Sequence, residues 1–249
     1  MRVIEFKNVC KSFGPHVVLS DVSFHVDVGE VLFVIGASGA GKSVLVKLLV
    51  GLLALDAGEI RLDGEEVSNK NEREIMAVRK KCAMVFQHAT LFDSMTCAEN
   101  VALPLRKHRG LRPNEALAEA RRRLDVVHMS EHADRYPAEL GDGMRKRVAI
   151  ARALTLDPRY VLFDEPTTSL DPVSARRVDR LIRELSDRLG VTSVVVSHDL
   201  TSILSIADRI VMLYGGRVRL VGTPDAFRTS DDGVVRQFIR GSAAGPMDL

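Results

Sequence analysis

The chain has 249 residues, which is enough for one large domain or for one domain that carries an additional lobe. Its 35 basic and 33 acidic residues almost cancel, and it contains few aromatic residues and no Trp, so we expect no nucleic-acid partner. The most apolar segment, residues 44–55, is too short to span a bilayer and includes Lys47, and the N-terminus lacks the apolar core of a signal peptide. Three widely spaced cysteines, Cys10, Cys82 and Cys97, are expected to be reduced thiols rather than metal ligands.

Strand signals dominate the first third of the chain. Residues 1–35 alternate apolar and polar side chains, with turns expected at residues 14–15 and at Gly29, and residues 31–35 form a continuous apolar run of buried-strand length. A helix is expected to follow over residues 43–55. Further β-favouring runs predict strands at 60–64, 81–86, 160–163, 193–196 and 209–213.

Helical patterns occupy the middle of the chain, from about residue 88 to 158. Asn114 is expected to cap a helix over 115–129. A second helix is expected over 172–189, before Gly190, with an apolar stripe of Val178, Leu181, Ile182, Leu185 and Leu189. Strands that alternate with helices predict an α/β fold with a mostly parallel sheet covered on both faces.

A glycine-rich loop follows the apolar strand at 31–35. It fits the pattern G-x-x-x-x-G-K-[ST] and comprises Gly36, Ala37, Ser38, Gly39, Ala40, Gly41, Lys42 and Ser43, with Val44 next in the helix. Such a loop lets successive N–H groups face a phosphate at a helix N-terminus, while Lys42 reaches the β/γ oxygens and Ser43 offers a hydroxyl to Mg²⁺. A structural turn is the alternative, and the flanking strand and helix favour phosphate binding.

Polar residues end three other apolar strands. Asp164 and Glu165 close the strand at 160–163, so Asp164 is expected to hold Mg²⁺ beside Ser43 and Glu165 to deprotonate the attacking water. His198 is a candidate donor to the γ-phosphate, and Gln87 is a candidate ligand of Mg²⁺ or of the water. Taken singly, each of these residues could equally be a solvated strand end.

Taken together, these elements resemble the ATP-binding subunit of an ABC transporter over nearly the whole chain. The resemblance implies an adenine-stacking aromatic at Phe13 and two further motifs. They are a signature at Leu140, Gly141, Asp142, Gly143 and Met144 and a D-loop at Ser169, Leu170 and Asp171. It also implies a P-loop NTPase core with an N-terminal antiparallel β part and an inserted helical subdomain.

The same resemblance implies domain limits and partners. Residues 1–240 would form the ATPase domain, divided into a RecA-like core with its β subdomain (1–87 and 159–240) and the helical signature subdomain (88–158). Residues 241–249 would be a flexible tail. Two copies would enclose two ATP molecules with Mg²⁺ and drive integral-membrane permease subunits from the cytoplasmic face of the inner membrane.

A narrower resemblance links the chain to the ATPases of Mla/MCE-type phospholipid transporters. The segments that carry it are 41–47, 91–96, 99–106, 222–224 and 234–241. It implies lipid transport and an MCE-domain or other substrate-binding partner. An ATPase of an amino-acid or metal importer, a non-transport ABC protein and a P-loop subunit that binds ATP without hydrolysing it remain alternatives.

The signature departs from the usual Leu-Ser-Gly-Gly-Gln. Gly141 lacks the serine hydroxyl, and Asp142 adds a carboxylate where glycine would allow close approach to a phosphate. We expect weakened closure of the dimer and slow basal hydrolysis. The alternative is that Asp142 faces solvent or pairs with Arg145, on the same helical face.

Overall fold

Two β-sheets share one core in the structure, a computed structural model that describes residues 1–247. The first sheet is antiparallel with the order β2-β1-β4-β5, and its strands are β1 (Arg2–Phe13), β2 (His16–Asp27), β4 (Ala57–Leu62) and β5 (Glu65–Glu66). The second has the order β10-β9-β3-β8-β7-β6, and its strands are β3 (Val31–Ile35), β6 (Cys82–Val85), β7 (Tyr160–Asp164), β8 (Thr192–Val196), β9 (Arg209–Tyr214) and β10 (Arg217–Gly222).

The second sheet is parallel except for its edge strand β10, which runs antiparallel to β9. Alternate residues of its central strands enter two different cores. Leu32 and Leu162 pack towards the antiparallel sheet, whereas Phe33 and Phe163 pack towards the helices on the other face. The predicted α/β fold with a mostly parallel sheet is confirmed.

Nine α-helices surround the sheets in residues 1–247. They are α1 (Lys42–Leu49), α2 (Glu72–Lys81), α3 (Cys97–Arg109), α4 (Pro113–Val126), α5 (Asp142–Ala153), α6 (Pro172–Leu189), α7 (Leu200–Ile206), α8 (Pro224–Arg228) and α9 (Gly233–Arg240). We call residues 97–156, which contain α3 to α5 and three short 3-10 turns, the helical segment. None of the described helices is both long and apolar enough to cross a membrane.

Two helices differ from their predicted limits. α1 ends at Leu49 rather than at Leu55, because the chain turns at Gly51, whose φ is +64°. α4 begins at Pro113, so Asn114 lies inside the helix and is not its cap. Proline suits the first helical position because the N–H that it lacks has no acceptor there.

The limits predicted for α6 are confirmed at both ends. Asp171 caps its N-terminus by accepting hydrogen bonds from the N–H groups of Val173 and Ser174, both at 3.0 Å. Gly190 ends the helix with a φ of +64°. The apolar stripe is buried except for Leu189, which is 56% exposed in the last turn.

The described part of the expected loose tail lies against the core. Met247 is buried, and its N–H donates to Oε1 of the buried Gln237 at 2.7 Å. The Tyr214 hydroxyl donates to the carbonyl of Pro246 at 3.3 Å. Contacts with Gln237 and Tyr214 therefore anchor this segment on α9 and β9, although residues 241–246 are exposed. Residues 248–249 lie outside the described part of the chain.

Candidate functional site

The glycine-rich loop connects β3 to α1 at the carboxyl edge of the parallel sheet. Gly36 has a φ of +147°, and a Cβ there would lie 2.4 Å from the carbonyl oxygen of Leu213. Gly41 has a φ of +90°, and a Cβ there would lie 2.6 Å from Cδ2 of Leu19. Both positions therefore require glycine. Because α1 begins at Lys42, the first N–H groups of that helix have no intrahelical acceptor and are available to an anion.

Lys42 bonds back to its own loop. Its Nζ donates to the carbonyl oxygens of Gly36 and Ala37, both at 2.9 Å. Burial lowers the pKa of Lys42, while the nearby carboxylates of Glu165 and Asp164 act in the opposite direction. The ammonium group is thus held in the loop by two neutral acceptors that a phosphate could replace.

Ser43 and Asp164 are 121 residues apart in the sequence and adjacent in space. Ser43 Oγ donates to Asp164 Oδ1 at 2.6 Å. A hydroxyl and a carboxylate oxygen form a hard donor set of the kind that Mg²⁺ prefers, with the remaining positions open to phosphate and water. These residues therefore fit the metal that the sequence predicts.

Glu165 directly follows β7 and has a left-handed conformation, with a φ of +52°. Its Oε2 accepts a hydrogen bond from Thr168 Oγ1 at 3.1 Å and lies 2.9 Å from Nδ1 of His198. No protein donor within residues 1–247 bonds to Oε1, which leaves that oxygen able to accept a hydrogen bond from water. Thr168 is a contact that the sequence analysis missed.

One cavity of about 790 Å³ brings Lys42, Glu165 and His198 together, whereas Ser43 and Asp164 are not among the residues that line it. Its lining includes residues from the loop, from the strand ends and from the C-terminal segment, namely Gly36, Ala37, Ser38, Lys42, Gln87, Glu165, Thr168, His198, Leu200, Gln237, Phe238, Gly241, Ser242, Ala243 and Met247. Phe13 is not among them. It is half-exposed at the end of β1, with Lys11 Nζ 5.4 Å from its ring centroid.

The signature residues lie around the start of α5, outside this cavity. Leu140 is buried, Gly141 is the N-cap, and Asp142 forms an ion pair with Arg145. A Cβ on Gly143 would lie 2.8 Å from Cβ of Ser174. The alternative that Asp142 pairs with Arg145 thus matches the structure.

A second cavity, of about 270 Å³, separates the signature from the D-loop. Asp142 lines it together with Ser169 and Leu170, and it shares Gln87 and Thr168 with the larger cavity. Ser169 adopts a left-handed conformation, with a φ of +67°, just before Asp171 caps α6. The D-loop residues Ser169 and Leu170 therefore line only the smaller cavity, and Gln87 and Thr168 connect it to the larger one.

Lys146 is a second contact that the sequence analysis missed. It is buried, and its Nζ donates to the carbonyls of Phe86 and Gln87 at 2.9 and 2.5 Å. Burial lowers its pKa to about 8, against the attraction of Asp142 and Asp164. Lys146 thereby connects α5 to the segment that carries Gln87, and the sequence around it does not indicate that this cation is the buried one.

A buried polar cluster supports the loop that carries His198. Arg176 forms ion pairs with Asp179 and Asp199, and Ser202 Oγ lies 2.9 Å from Asp179 Oδ2 and 2.8 Å from Asp199 Oδ2. Burial raises the pKa of Asp179 to about 6, against the effects of Ser202 and Arg176. Oδ1 of Asp179 is buried without a hydrogen-bond partner within the described residues.

Asp179 is expected to make stability depend on pH. Its folded-state pKa lies above the unfolded value of about 3.9, so its contribution to the free energy of unfolding falls as the pH rises from about 4 to about 6. Asp179→Asn removes this dependence. Relative to the unchanged chain, the free energy of unfolding of the variant is therefore expected to increase by on the order of 3 kcal/mol as the pH rises through this window. Urea unfolding of both proteins between these pH values measures it, and a pH-independent difference would contradict it.

Comparison with known proteins identifies the family to which this constellation belongs. The sequence profile described as ABC transporter matches residues 19–168, which include the glycine-rich loop, the signature and the Asp164–Glu165 pair. The chain belongs to the ABC transporter family. It is an ABC-type ATPase by its profile and by its relatives.

Relatives within the ABC family differ in the substrates that their names give. The intermembrane phospholipid transport system ATP-binding protein MlaF of Haemophilus influenzae is 38% identical over 99% of this chain and 93% of its own length. The sulfate/thiosulfate import ATP-binding protein cysA of Cucumis sativus is 42% identical over 89% of this chain, which spans 63% of that protein. The probable ribonucleotide transport ATP-binding protein mkl of Mycobacterium leprae is 35% identical over 99% of this chain and 71% of its own length.

Solved ABC structures have the same fold. The ATP-binding cassette MJ0796, in a dimeric post-hydrolysis state bound to ADP and Pi, superposes with a TM-score of 0.79 at 31% identity and covers 89% of this chain and 98% of its own. CbiO1 from Clostridium perfringens, part of the ABC transporter complex cbiONQ, has a TM-score of 0.84 at 26% identity and covers 92% of this chain and 91% of its own.

Proposed function

We propose that this chain binds Mg·ATP between two copies of itself and hydrolyses it to drive a membrane permease that transports phospholipid. The observation that carries the enzymatic part is the single cavity in which Lys42, Glu165 and His198 meet. A phosphate held by the loop would lie in the same cavity as the carboxylate that can accept a proton from water.

The roles of the loop residues follow from their donors. Lys42 would exchange its two carbonyl acceptors for β/γ phosphate oxygens, which form stronger, charge-assisted bonds. Ser43, Asp164 and Gln87 would hold Mg²⁺, which, when bound, neutralises charge on the phosphates. Phe13 would stack on adenine; it supplies a half-exposed ring face for that role.

Glu165 would act as the general base. Thr168 and His198 both contact its Oε2, so the carboxylate is oriented and Oε1 remains for the attacking water. His198 can donate to Glu165 only if Nδ1 carries a proton. Since neutral imidazole has one N–H, donation from Nε2 to a phosphate at the same time requires the imidazolium form. Neutral His198 would therefore leave Glu165 in order to bond the γ-phosphate.

A second copy would complete each site. The signature residues lie outside the cavity that holds Lys42 and Glu165. They would therefore contact ATP that is bound to the partner copy, and they are Leu140, Gly141, Asp142, Gly143 and Met144. The D-loop residues Ser169, Leu170 and Asp171 would face the same partner. The dimeric relative MJ0796 supports this arrangement.

The transported substrate is proposed to be a phospholipid. The match to MlaF extends over 99% of this chain and 93% of that protein, which supports a phospholipid system with an MCE-domain or other substrate-binding partner. The same proposal places the chain at the cytoplasmic face of the inner membrane, with residues 1–87 and 159–240 as core and 88–158 as signature subdomain. A sulfate system is the second candidate, because cysA proteins are equally similar.

The test is purification of the chain with its native membrane partners, followed by reconstitution. We expect two copies of the chain per transporter and ATP-dependent transfer of labelled phospholipid. One copy per transporter without a second ATPase would contradict the dimer. ATP-dependent sulfate uptake without phospholipid transfer would reject the lipid substrate and keep the ATPase.

The altered signature is expected to limit the rate of hydrolysis. The double change Gly141→Ser with Asp142→Gly restores a hydroxyl donor. It also removes the Asp142 carboxylate from the position that the phosphate would approach. We expect about a tenfold faster basal ATPase, since one charge-assisted hydrogen bond contributes about 1.5–3 kcal/mol where it is well formed. Turnover in the assembled transporter is the measurement.

Arg145→Gln distinguishes the effect of the Asp142 ion pair from the effect of the missing hydroxyl at Gly141. It breaks the Asp142–Arg145 ion pair without adding the hydroxyl, and should leave the rate unchanged or lower it. A double variant no faster than the unchanged complex would show that Gly141 and Asp142 do not limit hydrolysis.

A further inference from the structure

We propose that a cleft between α5 and α6 binds a compact phosphate-class anion. Its lining consists of His128, Arg147, Arg177, Arg180, Leu181 and Glu184, which we call the arginine cleft. The volume is about 260 Å³, several times the roughly 30 Å³ that one water occupies in the liquid. It is therefore large enough for a phosphate group with accompanying water.

The charge in the arginine cleft is uncompensated. Three guanidinium groups face a single carboxylate, Glu184, which itself lies 3.6 Å from Nε2 of His128. Within residues 1–247, no carboxylate oxygen lies within 4.0 Å of Arg147, Arg177 or Arg180. Partial burial lowers the pKa of Arg147, and the positive charge of Arg177 acts in the same direction.

Two other arginines of α6 are paired with carboxylates. Arg176 pairs with Asp179 and Asp199, and Arg183 pairs with Asp187 and Asp208. Arg177 and Arg180, three residues apart and exposed, have no carboxylate partner within residues 1–247. Arg188 is also unpaired there, but it lies outside the cleft. What distinguishes the cleft from a solvated charged face is that both residues line one cavity with the partly buried Arg147.

Arg147 is oriented by neutral acceptors. Its Nη1 donates to the carbonyl oxygens of Val127 and His128, at 3.4 and 3.1 Å, in the turn that follows α4. These bonds orient the guanidinium and leave its charge intact, and its other N–H groups have no acceptor within the described residues. A guanidinium held in this way can bond two oxygens of one phosphate in its planar geometry.

The arginine cleft joins two parts of the chain. His128 and Arg147 belong to the helical segment, whereas Arg177, Arg180 and Glu184 belong to α6. An anion bonded from both sides would hold α5 and α6 at one separation. Binding is therefore expected to raise the unfolding temperature of the chain and to add a ligand site distinct from the phosphate loop.

The experiment is a calorimetric titration of sodium pyrophosphate into the chain with ADP bound at the phosphate loop. We expect one site in the unchanged chain and at least about tenfold weaker binding in the double variant Arg177→Gln with Arg180→Gln. Arg188→Gln is the matched control, since Arg188 is an exposed residue of α6 outside the cleft, and it should bind like the unchanged chain. Repeating the titration in the Lys42→Ala variant tests that the phosphate loop is not the site.

Three outcomes would overturn the proposal: equal binding in all variants, no binding in the unchanged chain, and a changed oligomeric state of the double variant with unchanged pyrophosphate binding. A flotation assay with phosphatidic acid vesicles identifies the source of the phosphate. If the unchanged chain binds these vesicles, the double variant does not, and pyrophosphate displaces the vesicles, then the anion is a lipid headgroup. Pyrophosphate binding without vesicle binding assigns it to free phosphate.

Discussion

Glu165→Gln is expected to lower ATP turnover by about 10²–10⁴-fold while ATP binding is largely retained. The amide has nearly the shape of the carboxylate but cannot accept a proton from the attacking water at neutral pH. Thr168 and His198 hold Oε2 of the native carboxylate. We therefore expect the variant side chain to keep nearly the same position and to lose the ability to accept a proton. Steady-state phosphate release, together with equilibrium ATP binding, separates the two effects.

Glu131→Gln is the matched control for this change. Glu131 is exposed in the short 3-10 turn after α4, far along the chain from the strand ends, and no cation pairs with it within residues 1–247. Its turnover should equal that of the unchanged chain. If Glu165→Gln hydrolyses ATP nearly as fast as Glu131→Gln, then Glu165 is not the base and another group must accept the proton.

Lys42→Ala is expected to weaken ATP binding by at least about tenfold and to abolish ATP-dependent dimerisation. The ammonium would form charge-assisted bonds to β/γ phosphate oxygens, and each such bond contributes about 1.5–3 kcal/mol. The variant also loses the two bonds from Nζ to the carbonyls of Gly36 and Ala37, so the empty loop itself becomes less ordered. Fluorescent-nucleotide titration and sedimentation with and without ATP measure both effects.

Lys47→Ala provides the comparison within the same helix. Lys47 lies in the last turn of α1 and is not among the residues that line the phosphate cavity. It should bind ATP like the unchanged chain. Equal affinity for ATP in the Lys42 and Lys47 variants would exclude the proposed contact between Lys42 and phosphate.

The features that the sequence predicted well are those that a few neighbouring residues determine. The glycine-rich loop is contiguous, and the positive φ angles of Gly36 and Gly41 explain why glycine stands at those two positions. Helix α6 begins after a capping Asp171 and ends at Gly190, and both signals lie within one turn of the helix end. The prediction for α1 was wrong by six residues, because Gly51 turns the chain before an apolar run that continues past it.

The contacts that complete the candidate site depend on tertiary structure. The sequence analysis expected Asp164 beside Ser43, and the two are hydrogen-bonded in the structure because parallel strands bring their carboxyl ends to one edge of the sheet. No local pattern distinguishes Lys146, which turns inward to two carbonyls, from Arg147, which helps to form a cationic cleft. Lys146 and Arg147 are adjacent and lie in the same basic run of residues 145–147. Which cation is buried, which is paired and which remains available to a ligand was decided only when α5 packed against α6 and the segment of Gln87.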